Sequence, residues 1–310
     1  MTRFSIVITC YNQSAFIRDA IGSALAQDYA DKEIIIVDDG STDGSRKVLE
    51  EYGAAIKLQA LETNEGACRA RNCGASLATG DFLVFLDGDD MLQPWAFSIY
   101  ERVVELRNPI LIIARMAWFH DEASLSRTRA MAGQLRFVEY EHFIKKDRPV
   151  RASASAFIVQ RHAFEAVGGW TNDIFPWEDQ DLLIKLALSG RTIQILSPAT
   201  IAYRVHAGNS IHQVREIVRG VYGLIRREKM GMYPGGRRFS HKRHALIGGF
   251  AFFCLKKAFR TKLYGEGFNL LRAGWPMICA AISRRCLVIL RGRSPEMTLD
   301  STTDNERHVS

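Results

Sequence analysis

No apolar run in this 310-residue chain reaches the roughly 20 residues that a helix needs to cross a bilayer. Ala245 to Leu255 is well short of that length, and Arg284 and Arg285 interrupt the stretch from Trp275 to Leu290. Cysteine offers no framework either. Cys10, Cys68, Cys73, Cys254, Cys279 and Cys286 contain no CxxC pair and no zinc-ligand spacing, which excludes a redox motif and a zinc module. The opening Met1-Thr2-Arg3-Phe4 leads at once into Ser5-Ile6-Val7-Ile8-Thr9, too short an apolar stretch for a secretory leader, so reduced thiols and a cytoplasmic setting are expected. Disorder is excluded as well, because 47% of the residues are hydrophobic and the length is enough to bury a core.

Charge is distributed unequally. Residues 1–210 hold 22 Lys and Arg against 27 Asp and Glu, a balance of −5, whereas residues 211–310 hold 19 against 7, a balance of +12. The net charge of +7 therefore belongs to the tail, and such a basic region suits an anionic partner, either a membrane face or a nucleic acid.

Before the tail, strands alternate with helices. Ser5 to Thr9 reads as a strand, and Ile17, Ala20, Ile21, Ala24 and Leu25 recur at helical spacing. Glu33 to Val37 is a second strand that ends in Asp38-Asp39-Gly40-Ser41-Thr42-Asp43, before a helix reaching Tyr52. Ile56 to Leu61 is a third, followed by a helix carrying Arg69, Arg71 and Asn72. The fourth is the apolar run Phe82 to Leu86, which stops in Asp87-Gly88-Asp89-Asp90. Four βα repeats predict an α/β fold with a mostly parallel, doubly wound sheet, and ligands of such sheets bind at the carboxyl ends of the strands. Asp87 and Asp89 stand two apart with Gly88 between, so in extended backbone both face one side. Two close carboxylates repel unless a divalent cation relieves them, and hard oxygen ligands suit magnesium or manganese. A solvated acidic turn is the competing reading of the same triplet.

Thr9-Cys10-Tyr11-Asn12, Val37 to Asp43, Ala70-Arg71-Asn72 and Leu86 to Asp90 stand in order at comparable positions, and together they resemble the family-2 glycosyltransferases of the GT-A fold. The resemblance covers residues 4 to about 210. It implies an inverting enzyme whose donor is a nucleoside-diphosphate sugar, UDP being the favoured nucleotide. Asp87-Gly88-Asp89 matches the family's DXD motif, which holds a Mn2+ or Mg2+ ion on the diphosphate. The same resemblance places Thr9, Tyr11, Asp39 and Arg71 at the nucleotide. Their chemistry is compatible: an aromatic face for a base, a carboxylate for an imide, a guanidinium for phosphate and a hydroxyl. Asp38 reads instead as a turn-bonding residue, Arg69 as a solvated charge, and Cys10 and Cys73 as packing thiols.

A second acidic segment, Phe175-Pro176-Trp177-Glu178-Asp179-Gln180-Asp181, opens a helix whose buried stripe is Leu182, Leu183, Leu186 and Ala187. Pro176 suits its first turn, and Asp181 stands four before Lys185, as in a surface ion pair. Helix capping accounts for Glu178 and Asp179 without any chemistry. The resemblance gives more: Trp177-Glu178-Asp179 looks like the family's ED motif, with Asp179 as general base, Asp181 as the competing candidate, and Glu178 orienting acceptor or leaving group. Tyr203-Arg204-Val205-His206 resembles a Tyr-Arg-x-His ending of the family, so that Arg204 or His206 reaches the diphosphate or completes the metal shell.

The resulting map is a catalytic unit over 1–210, with a nucleotide-sugar half to about 93 and an acceptor half over 94–210. A basic amphipathic helical extension over 211–295 and a flexible tail over 296–310 follow. Gly133 to Arg151 has no clean period and is assigned to a mobile wall of the acceptor site. The extension is expected to rest on an anionic membrane at the inner face of the cytoplasmic membrane, or to pack on the catalytic unit or in a homodimer. No QxxRW sequence occurs, which argues against a processive synthase and for addition of one sugar to a saccharide or lipid-linked acceptor. A sugar nucleotidyltransferase would need a Gly-rich basic loop after the first strand, and Tyr11-Asn12-Gln13-Ser14 is not one. Nucleic acid is not an expected partner, since no recognition motif accompanies the basic tail.

Overall fold

The first strand sets the architecture. β1 (Phe4–Cys10) is buried along its whole length, which requires layers on both faces and a partner on each edge. α1 (Ile17–Leu25) packs Ile17, Ala20, Ile21 and Ala24 inward. β2 (Lys32–Asp38), α2 (Ser45–Glu50), β3 (Lys57–Ala60), α3 (Ala67–Ser76) and β4 (Phe82–Asp87) complete the alternation. β1 pairs in parallel with β2 and β4, and β2 in parallel with β3, so all four carboxyl ends share one edge. Four parallel strands are what the βα alternation predicts, and they stand in the order β3-β2-β1-β4.

The computed structural model describes residues 1–130, 132–145, 153–206, 214–291 and 299–300. Beyond β4 come β5 (Met91–Leu92), α4 (Ala96–Arg107), β6 (Leu111–Ile113), β7 (Met116–Phe119), α5 (Glu122–Arg129) and β8 (Arg136–Tyr140). They are followed by β9 (Phe157–Gln160), α6 (Arg161–Ala166), α7 (Glu178–Leu186), β10 (Thr192–Ser197) and β11 (Ile201–Arg204). The large sheet continues as β4-β9-β6-β10-β8, with β9 antiparallel to both neighbours. Ile110 to Phe119, apolar enough to read as further strand, holds two strands: β6 lies in the large sheet and β7 joins β5 and β11 in a second, three-stranded one. Gly133 to Arg151 yields β8 and a short turn of helix at Phe143–Lys145. Residues 146–151, the remainder of the assigned acceptor wall, lie outside the described residues.

The extension forms α8 (Val214–Lys229), α9 (Gly236–Arg260) and α10 (Tyr264–Arg291). Ile217, Val221, Leu224, Phe250 and Ile278 build a core of their own that also takes in Ile174 and Ile184. The Trp177 indole donates to the Ile217 carbonyl at 2.8 Å, so the extension packs on the catalytic unit. At the α9–α10 crossing a Cβ on Gly248 would stand 1.8 Å from the Met277 carbonyl oxygen, which only glycine permits. Among the described residues no helix is long and apolar enough to cross a membrane. The flexible tail expected over 296–310 lies outside the described residues except for β12 (Leu299–Asp300), antiparallel to β8.

Candidate active site

The parallel register brings the candidate residues together. Thr9 stands opposite Val37 on one side and Asp87 on the other, so the ends of β1, β2 and β4 form one rim. Asp38 serves the fold, accepting the Ser41 amide at 3.1 Å and the Arg46 Nε–H at 2.8 Å. Asp39 is held differently. Its two oxygens accept the amides of Glu65 at 2.7 Å and Gly66 at 2.9 Å, and burial still holds its carboxyl above the ordinary range. The Tyr11 ring is exposed next to it.

At the end of β4 the three carboxylates divide their work. Asp87 Oδ1 accepts from Arg71 Nη2 at 2.7 Å. Asp89 Oδ2 lies 2.8 Å from His206 Nε2, and its carboxyl is raised first by burial and next by the Asp87 charge. Asp90 is fully committed inside the protein, accepting from Ser155 Oγ at 2.6 Å and from the Arg204 amide at 3.0 Å. Ser155 also accepts the Asp87 amide, so it locks the turn. The space a side chain would need at Gly88 is taken by the protein itself: the Gly88 amide donates to the Thr9 carbonyl at 2.9 Å, with Gln13 above. Arg204 donates to Asp19 and to the Asp89 carbonyl and stacks on Phe16 and Phe119. Those contacts tie Arg204 to the turn that carries Asp89.

α7 approaches from the other half. Its N-cap is Trp177 and its first residue Glu178, so Pro176 precedes the helix instead of standing in its first turn. Arg71, on α3, reaches Glu178 Oε1 at 3.2 Å with its second nitrogen, Nη1. Burial raises the Glu178 carboxyl even beside that guanidinium. Asp179 is half-buried, and its carboxyl is pushed up to about 7, first by burial and then by the Glu178 charge. Asp181 is not the surface partner of Lys185 that its spacing suggests. It is wholly buried, accepts from Tyr233 and Thr171 at 2.7 Å each, and pairs with Lys185 at 3.3 Å.

A cleft of about 490 Å³ opens at the rim, lined by Thr9, Tyr11, Asp39, Arg71, Asp87 and Asp89. Glu178, Asp179 and His206 are not among the lining residues; Glu178 touches it through Arg71 and His206 through Asp89. Asn172, Phe175 and Tyr203 also line it: Phe175 and Tyr203 stand in segments already singled out but were given no role, and Asn172 had no signal, since its place depends on tertiary packing. The donor set suits a hard cation. Asp87 and Asp89 crowd their charges at the cleft, while no group of three His, Cys, Asp or Glu converges among the described residues. A metal here would thus take part of its shell from substrate oxygens and water.

The family model described as Glycosyl transferase family 2 matches residues 5–168. Among curated relatives, the poly-beta-1,6-N-acetyl-D-glucosamine synthase of Staphylococcus epidermidis is 26% identical over 252 residues, which are 74% of this chain and 59% of the relative. The UDP-Glc:alpha-D-GlcNAc-diphosphoundecaprenol beta-1,3-glucosyltransferase WfgD of Escherichia coli is 43% identical over 88 residues, 28% of this chain and 35% of that one. These matches thus span between about a third and three fifths of the relatives' own lengths. S. aureus TarS 1-349 in complex with UDP-GlcNAc superposes with a TM-score of 0.67 at 17% identity, covering 90% of this chain and 81% of that one, and so shares the fold. With more than half of its length inside the family model, and residues of the four quoted segments meeting at one cleft, this chain belongs to glycosyl transferase family 2.

Proposed function

We propose that the protein transfers one sugar from a nucleoside-diphosphate sugar, UDP being the favoured nucleotide, to a hydroxyl of a saccharide or lipid-linked acceptor, with inversion. The observation that carries this reading is the double use of Arg71, which ties the cleft carboxylate Asp87 to Glu178 beside Asp179. In this reading Tyr11 stacks on the base and Asp39, fixed by two amides, accepts from it. Arg71 faces the diphosphate, and Thr9 contributes a hydroxyl at the rim. Asp87 and Asp89 would hold Mn2+ or Mg2+, which when bound offsets charge on the departing diphosphate, with His206 steadying Asp89.

Asp179 takes the proton of the attacking hydroxyl. A carboxyl near 7 is suited to this, since it is available as a base at neutral pH yet binds a proton far better than an ordinary aspartate. Glu178, pinned by Arg71, sets the direction of the first turn of α7 and so the placement of Asp179. An acceptor on a lipid carrier puts the enzyme at the inner face of the cytoplasmic membrane.

The experiment is a calorimetric and thermal-shift panel of UDP, GDP, TDP and CMP sugars with and without manganese, followed by transfer assays on the one that binds. Selective stabilisation by one nucleotide sugar that chelation or Asp89→Ala removes is the expected result. Binding of none of them by folded protein would overturn the reading.

A further inference from the structure

The basic residues of the extension do not share one surface. Arg243 is buried against Glu228 at 2.6 Å, and Arg226 and Arg227 face Asp173 of the catalytic unit. One outward face lies at the end of the bundle where α9 turns into α10. There Phe259 is 37% exposed, Tyr264 52% and Phe268 61%, and Phe259 packs edge-on against both of the others. Trp275, 56% exposed, follows Phe268 by seven positions, so the two lie on one stripe of α10. The opposite side of the helix is already apolar and covered, with Leu270, Met277 and Ile278 buried in the bundle core. A helix apolar on both sides needs a cover on the outer one.

The charge around that stripe selects the cover. Between residues 254 and 276 stand Lys256, Lys257, Arg260, Lys262 and Arg272 against the single acid Glu266, which pairs with Arg215. A second copy placed symmetrically would bring the same cations face to face. A single-stranded nucleic acid needs open ring faces for its bases, whereas Phe259 is wedged edge-on between Tyr264 and Phe268. An anionic lipid surface satisfies both features, taking the rings among its acyl chains and the cations at its headgroups. No described helix can cross the bilayer, so the contact is lateral.

We infer that the α9–α10 turn, through Phe259, Tyr264, Phe268 and Trp275 with Arg260, Lys262 and Arg272, is a docking surface for an anionic phospholipid bilayer. The inference deepens the reading of a membrane-borne acceptor and rests on it only for its purpose. The test is sedimentation of the full chain with phosphatidylcholine vesicles, with and without phosphatidylglycerol. No sugar nucleotide is added, and Asp179→Asn protein is run beside wild type, so that failure of transfer and failure of docking are separate results. Binding is expected to require phosphatidylglycerol. It should fall on the order of tenfold in Arg260→Glu/Lys262→Glu, and comparably in Phe268→Ser/Trp275→Ser, with circular dichroism and Tm unchanged. Wild type that ignores anionic vesicles, or variants that bind as wild type does, would overturn it. So would a wild-type dimer that Phe268→Ser/Trp275→Ser converts to monomer, or an oligonucleotide bound through the same residues.

Discussion

Arg71 and Glu178 meet at 3.2 Å across 107 positions of sequence, one on α3 and the other at the first residue of α7. The guanidinium is 5% exposed, stacks over Trp170, and gives its other terminal nitrogen to Asp87. A forked, always-charged side chain can serve both carboxylates at once; a lysine cannot. Arg71→Lys is therefore expected to keep the fold and lower kcat/KM about a hundredfold, the cost of a misplaced reacting group. Arg71→Ala leaves Glu178 buried without its partner and is expected to cost about 3–5 kcal/mol in urea unfolding. Initial rates and denaturation curves check both, and a wild-type rate for Arg71→Lys would sink the bridging role.

For Asp179 activity and stability should move apart. Asp179→Asn cannot accept a proton, and transfer is expected to drop by about 10²–10⁴ with nucleotide binding retained. In wild type the rate should climb with pH to a plateau, with an apparent pKa near the value of about 7 that burial and Glu178 impose. The sign for stability is opposite. The folded carboxyl titrates above its unfolded value of 3.8, so its contribution is complete below that value and is lost as pH rises through about 7. Asn is free of that loss, so at about pH 8 the variant should melt no lower than wild type. A variant that unfolds readily there, or that loses nucleotide binding, would contradict the assignment.

Metal dependence should separate Asp89 from Asp90, although they are neighbours. Asp89 is the carboxylate of the cleft, whereas Asp90 is closed off by Ser155 and the Arg204 amide. Asp89→Ala is expected to abolish the manganese-dependent part of nucleotide stabilisation while changing the metal-free Tm little. Asp90→Ala strands buried donors and should lower that metal-free Tm, at a cost of about 1–3 kcal/mol. Thermal shifts with and without EDTA distinguish the two, and equal behaviour of both variants would refute the division.

The strand-end segments were legible because each is local: an apolar run, then turn residues and carboxylates, in one βα repeat after another. The parallel pairing of β1 to β4 follows from that repetition, although their order β3-β2-β1-β4 does not, and the roles of Asp38 as a turn residue and Arg69 as an exposed charge follow from their immediate neighbours. Asp181 was not legible. Its i,i+4 spacing to Lys185 is real, but the surface it was expected to occupy is covered by Tyr233, 52 positions away. The split of Ile110 to Phe119 between two sheets is hidden for the same reason: β7 finds its partner β11 more than eighty residues later.

That hidden contact ties the extension to α7. Tyr233 donates to Asp181 Oδ1 at 2.7 Å, while Thr171 and Lys185 share the other oxygen, so the first turn of α7 is fastened from the extension. Burial beside that carboxylate raises the Tyr233 phenol, which remains a donor at every working pH. Tyr233→Phe withdraws one hydrogen bond from a buried carboxylate and is expected to cost about 1–3 kcal/mol. Asp181 stands two residues after Asp179, so kcat should fall several-fold while the KM for the sugar nucleotide, set on the far side of Arg71, holds. Tyr222→Phe is the control, because its hydroxyl makes only a 3.4 Å contact to a carbonyl at the bundle surface, and about 0.5 kcal/mol is the most it should change. If Tyr233→Phe lowers stability but leaves kcat and KM as they were, the extension supports the fold of α7 without positioning Asp179.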